Sequence, residues 1–162
     1  MAEKKPEYTT EIVQVSGMRF KAKKAAVHSF ILPSGKQGRW ESVRVSEKPT
    51  VLLAGFTEEG KIILVRMFRF PVEDWTYELP GGNVEEGEDI PVTVRCEFLE
   101  ETGYTTDGPF QELCRGWLWN GGTNGSFVVY FALDCKKTKE PERDEVEKFA
   151  GMEVVEKRLW EV

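Results

Sequence analysis

The chain has 162 residues and a formal net charge of −6, with 40% hydrophobic and 31% charged residues. That length fits a single domain with a sizeable core, and the composition is that of a folded globular protein. The acidic balance argues against non-specific nucleic-acid binding, and no run approaches the roughly 18 apolar residues of a membrane span.

Three cysteines, Cys96, Cys114 and Cys135, form no CxxC pair, and the amino-terminal MAEKKPEYTT has no apolar signal stretch. Reduced thiols and a cytoplasmic location are the expectation. TEIVQV, KAAVHSFIL and RWESVRV read as strands, the last two joined by the turn PSGKQG. PTVLLAGF and KIILVRMF around TEEG predict a second hairpin, and WTYELPGG a short strand ending at Pro80. His28, the sole histidine, reads as a strand residue rather than a ligand. One strong helix begins at Asp89 or Ile90. Pro91 suits its first turn, Ile90, Val94 and Phe98 form its apolar face, and Gly103 ends it. FQELCRGWLW and SFVVYFALDC predict two strands around NGGTNG. KKTKEPERDEVEK reads as a solvated loop leading into a helix, and MEVVEKRLWEV as helical through Val154, Val155 and Leu159. The pattern is α+β, with a mixed or antiparallel sheet.

Seven acidic side chains fall between Glu85 and Glu101. On the helix, Glu97 and Glu101 share a face and Glu100 flanks both. Like charges at that spacing destabilise a bare helix, and a divalent cation reverses the sign. Taken alone, such a run reads first as the solvated face of an acidic helix. Its flanks carry more. From Gly82 onward come Glu88, Glu97, Phe98, Glu100, Glu101, Gly103 and Tyr104, at the spacings G-x5-E-x7-R-E-U-x-E-E-x-G-U. This stretch resembles the Nudix box. The resemblance implies the Nudix fold, a mixed β-sheet core sandwiched between helices. It also implies Mg2+-dependent hydrolysis of a nucleoside diphosphate linked to another group, with Mn2+ an alternative ion. Glu97, Glu100, Glu101 and the Gly81 carbonyl would hold the metal, with Glu97 and Glu101 central to catalysis. Gly82, Glu88 and Gly103 would be structural.

Cys96 departs from the pattern, since the family places there an arginine that orients a box glutamate by ion pairing. Either another cation holds that carboxylate, or metal binding and turnover are weakened. Arg95 is adjacent but lies about 100° around the helix.

The flanks RWESVRV and LVRMFRFPVEDWTYELPGG are similar to the ADP-ribose and ADP-sugar pyrophosphatase branch of the family. By position, Trp40 would stack on adenine, Glu41 accept from its amine, Arg69 hold a phosphate and Glu78 support the metal site. Glu145, in the DEVE segment, matches the late-loop base of that branch. Each has a plainer alternative: hairpin packing for Trp40, a surface ion pair for Arg69, a solvated charge for Glu145. Trp117 and Trp119 either line a cleft or pack beneath it. Residues 1–48 would form amino-terminal strands that are exchanged in a homodimer, and 49–162 the hydrolase domain. The competing readings are hydrolysis of another nucleotide (a dinucleotide, an oxidised triphosphate, a capped RNA end) and a nucleotide-binding module weakened at Cys96. The expected partner is a small nucleotide diphosphate, with neither membrane nor nucleic acid involved.

Overall fold

The computed structural model describes residues 7–14, 24–45 and 47–162. Part of the segment expected to exchange between protomers lies outside those residues. The chain divides into two compact units, the first formed by 1–47 with 117–126, the second by 48–116 with 127–162.

In the first unit, β1 (Tyr8–Gln14), β2 (Lys24–Ile31) and β3 (Gln37–Arg44) make an antiparallel sheet in the order β1-β2-β3. The predicted hairpin is present, with Phe30 opposite Gly38 and His28 opposite Trp40. Gly38 lies under the Phe30 ring, where a Cβ would come within 2.1 Å of it. His28 is a strand residue, with one ring nitrogen on the Thr10 hydroxyl and the other on that of Ser42. The NGGTNG loop belongs to this unit: the Val43 amide donates to Gly122 O and the Val45 amide to the Asn124 side chain.

The second unit is built on β4 (Thr50–Thr57) and β5 (Ile62–Arg69), joined through the predicted TEEG turn. Here the Gly60 amide donates to Thr57 O at 2.9 Å. Both strands read as near-continuous apolar runs, the pattern of strands covered on two faces. Accordingly β4 pairs parallel with β10 (Ser126–Lys137) and antiparallel with β5 and β7 (Gly81–Asn83). Further antiparallel partners of β5 are β6 (Asp74–Glu78) and β11 (Glu153–Lys157). The remaining strands, β8 (Tyr104–Thr105) and β9 (Gln111–Trp117), pair with β10. The sheet is mixed, as the sequence suggests.

Helix α1 runs from Ile90 to Thr102, with the Asp89 side chain accepting from the Val92 amide and Gly103 closing it at φ 77°. That left-handed residue must be glycine for a second reason, because a Cβ would meet Lys139 O at 2.1 Å. The inner face buries Thr93, Val94, Phe98 and Thr102. Phe98 is 1% exposed, lies edge-on to Phe110, and fills the space that a side chain at Gly55 of β4 would occupy.

One expectation fails. The carboxyl-terminal MEVVEKRLWEV is not a helix: Glu153–Lys157 form β11, followed by a 3-10 turn at Leu159–Glu161. Val154 and Val155 are β-branched, and the edge of β5 offers them a full ladder, from Glu153 opposite Arg66 to Lys157 opposite Ile62. The loop before it does lead into a helix, α2 (Glu145–Phe149).

The Phe98–Gly55 contact fixes α1 on the sheet. Phe98→Ala should cost about 3–5 kcal/mol by leaving a cavity, and Gly55→Ala about 1–3 kcal/mol by overpacking. Urea midpoints at unchanged m-value would measure both.

Candidate functional site

The site is made where β7 meets α1. Pro80 is fully buried, and its carbonyl accepts from the Leu53 amide at 2.9 Å. The next two residues must come close to other groups. A Cβ on Gly81 would lie 1.9 Å from Val51 O, and one on Gly82 would lie 2.3 Å from the Glu97 carboxylate. The Gly81 amide donates to Glu101 Oε2 at 2.8 Å. The two glycines therefore let the turn lie directly against the Glu97–Glu101 face of α1.

Electrostatics set these two carboxylates apart. Burial is the main cause that pushes Glu101 up to about 7, opposed by the Gly81 amide and reinforced by Glu97 and Glu147. Glu97 is also pushed up, first by burial, then by Glu100, Glu88 and Glu147. This is a cluster of like charges in a partly desolvated place, where each ionisation resists the next. Among the described residues, Arg69 is the one cation acting on Glu101, and it acts more weakly than the surrounding anions.

Arg69 is already engaged. Its guanidinium forks the Glu78 carboxylate, with Nε to Oε1 at 2.7 Å. Glu78 also accepts from the Thr76 hydroxyl at 2.5 Å, and with the guanidinium as first cause its carboxyl is held below the usual range.

Glu88 Oε2 accepts from the Glu85 amide at 2.9 Å and the Thr93 hydroxyl at 3.1 Å. Arg95 does not turn toward the box, since its guanidinium sits 4.0 Å from the centre of the Phe110 ring. Cys96 is exposed.

Sequence reasoning misses Glu147. Glu145 is the exposed first residue of α2, whereas it is Glu147 that acts on Glu97, Glu101 and Arg69. Glu147 is fixed by a capping box, its Oε2 accepting from the Asp144 amide at 2.8 Å while Asp144 accepts from the Glu147 amide at 2.7 Å. The D-x-x-E spacing of Asp144 and Glu147 is the signal that identifies it.

Trp40 and Glu41 lie on β3 in the first unit. Trp40 is 56% exposed and its indole donates to Gly121 O at 2.9 Å, while Glu41 pairs with Arg39 at 3.0 Å. Trp117 and Trp119 belong to the same unit and are exposed, with the Trp119 ring closing over Gly122.

Among the described residues, no three His, Cys, Asp or Glu side chains are gathered ready to hold a metal. The donor chemistry nevertheless suits a hard cation. Carboxylates crowd one another at Glu97 and Glu101, and Mg2+ is commonly held by one or two carboxylates together with waters and substrate phosphates.

A pH dependence follows. A carboxyl raised in the folded state stabilises the fold at low pH, and that contribution is lost as pH rises through the folded value. With Glu101 at about 7 instead of 4.5, stability without divalent cations should fall between about pH 4.5 and 7. Glu101→Gln should flatten that segment in thermal melts, and added Mg2+ should raise the wild-type melting temperature most above pH 7.

The site can be compared with known proteins. The NUDIX domain model matches residues 47–160. The chain is 43% identical over 74 residues to an ADP-ribose pyrophosphatase of Bacillus subtilis (strain 168), which covers 46% of this chain and 39% of that protein. It is 40% identical over 81 residues to a methanol dehydrogenase activator of Bacillus methanolicus, covering 50% of this chain and 43% of the relative. An ADP-sugar pyrophosphatase of Mus musculus is 29% identical over 85 residues, covering 47% of this chain and 39% of the relative. This chain thus spans about two fifths of the length of these curated relatives. A crystal structure of an ADP compounds hydrolase superposes with a TM-score of 0.77 at 18% identity, covering 98% of this chain and 82% of the other, a likeness of fold. The matched span includes the whole glycine–glutamate constellation, and the chain belongs to the Nudix family.

Proposed function

We propose that the chain hydrolyses the diphosphate of ADP-ribose or an ADP-sugar, with Mg2+, to AMP and a sugar phosphate. The observation that carries this reading is the pair Glu97 and Glu101, pressed against the Gly81–Gly82 turn with more anions than cations around them. The names of the Bacillus subtilis and Mus musculus relatives support the substrate class.

Glu97 and Glu101 would hold the ion, with Glu100 and the Gly81 carbonyl as further donors from the same face and turn. When bound, Mg2+ supplies charge neutralisation at the phosphoryl oxygens and acidifies a water. Glu147 is the base of the reaction: its carboxylate takes the proton as the water oxygen bonds to phosphorus. The bridging P–O bond then breaks, and its electron pair leaves with the departing phosphate. The geometry favours Glu147 over Glu145 because its carboxylate is fixed by the capping box and acts on both metal-site glutamates. Arg69 keeps Glu78 ionised and in place, and meets the substrate phosphate with the donors that Glu78 leaves open.

AMP release from ADP-ribose tests this. Release should require both Mg2+ and Glu97, and Glu97→Gln should abolish it. Glu147→Gln should lower kcat by about 10²–10⁴-fold, the range for a general base, while Glu145→Gln stays within a few-fold. A folded wild-type protein silent on ADP-ribose but active on another nucleotide would replace the substrate assignment. Metal-independent nucleotide binding without turnover would replace the enzyme with a binding module, the reading that Cys96 favours.

A further inference from the structure

The family places an arginine at the position of Cys96, and Arg95 is committed to the Phe110 ring. Something else must orient the box glutamate, or nothing does. Glu88 is the box carboxylate held by two donors at one oxygen, the Glu85 amide at 2.9 Å and the Thr93 hydroxyl at 3.1 Å. Thr93 is 6% exposed, so its hydroxyl is fixed by the core and has few other acceptors. Positions 93 and 96 are neighbours three apart on α1, the first buried and the second exposed at the edge of the same side. An arginine at 96 would therefore approach the carboxylate that Thr93 already bonds.

We propose that Thr93, together with the Glu85 amide, takes over in this chain the positioning work of the arginine absent at 96, holding Glu88 beside Glu97 with neutral donors. The inference rests on the reading of Glu97 and Glu101 as the cation site. It differs from an ion pair in its consequence. Neutral donors orient Glu88 without cancelling its charge, so its field on Glu97 persists and favours a cation there.

Thr93 Oγ1 also lies 3.1 Å from Asp89 O, the bond that a merely structural threonine would make within the first turn of the helix. A hydroxyl has one proton, and an ionised carboxylate is the stronger acceptor. An arginine introduced at 96 would replace the Glu88 contact but not the Asp89 contact, which separates the two roles.

The test uses Mn2+ alone, with its affinity read by electron paramagnetic resonance, and amide hydrogen exchange at Glu85 in metal-free protein. Thr93→Val, nearly isosteric, should weaken Mn2+ binding about 3–10-fold and speed exchange at Glu85 by a similar factor. Thr93→Ser should stay within about 2-fold of wild type in both. Adding Cys96→Arg to Thr93→Val should recover both quantities. Unchanged affinity and exchange in Thr93→Val would overturn the proposal. So would a Thr93→Val defect that Cys96→Arg leaves in place, since the threonine would then be structural. If the wild type binds no Mn2+, or Glu97→Gln binds it equally well, the reading of the metal site fails. The exchange arm still decides the role of Thr93.

Discussion

The hydrogen bond from the Gly81 amide to the Glu101 carboxylate joins the two halves of the site. It ties a strand end to the last turn of a helix whose acidic face would otherwise repel itself. Both glycines are needed for the approach, one to clear the Val51 carbonyl and the other to clear Glu97. A single neutral donor cannot offset the crowding, which is why burial and repulsion still leave Glu101 near neutrality in its proton affinity. The fold holds this arrangement in place, and the proposed cation would relieve its crowding.

What holds it is apolar. Val94 and Phe98 are buried on the face of α1 opposite the solvent, and Phe98 reaches the bare backbone at Gly55. Helix propensity contributes little, since Val92, Thr93 and Val94 form helices poorly. The helix is set by its ends, Asp89 and Gly103, and by packing. The carboxylates gain a fixed geometry because their neighbours in sequence are in the core.

Much of this is legible in the sequence. The spacing of Gly82, Glu88, Glu97, Glu100, Glu101 and Gly103 places a loop and a helix face, because helical periodicity converts intervals of three and four into proximity. The hairpins of both units are equally readable, from β-type runs on either side of turn residues. Three things are not. Val154 and Val155 fit a helical period, but periodicity cannot see that β5 has an open edge waiting for a strand. The D-x-x-E spacing marks Glu147 as a capping residue, but only the position of α2 shows that it, and not Glu145, acts on the cluster. The engagement of Arg95 with Phe110 was also invisible, because it depends on a ring brought close by tertiary folding.

The central claim is that Glu97 and Glu101 hold a divalent cation at the glycine turn. Crystals soaked in Mn2+ and measured at its absorption edge test it most directly. An anomalous peak within coordination distance of both carboxylates is the predicted result. A map with no peak there, in crystals that take up Mn2+ elsewhere, would contradict the account.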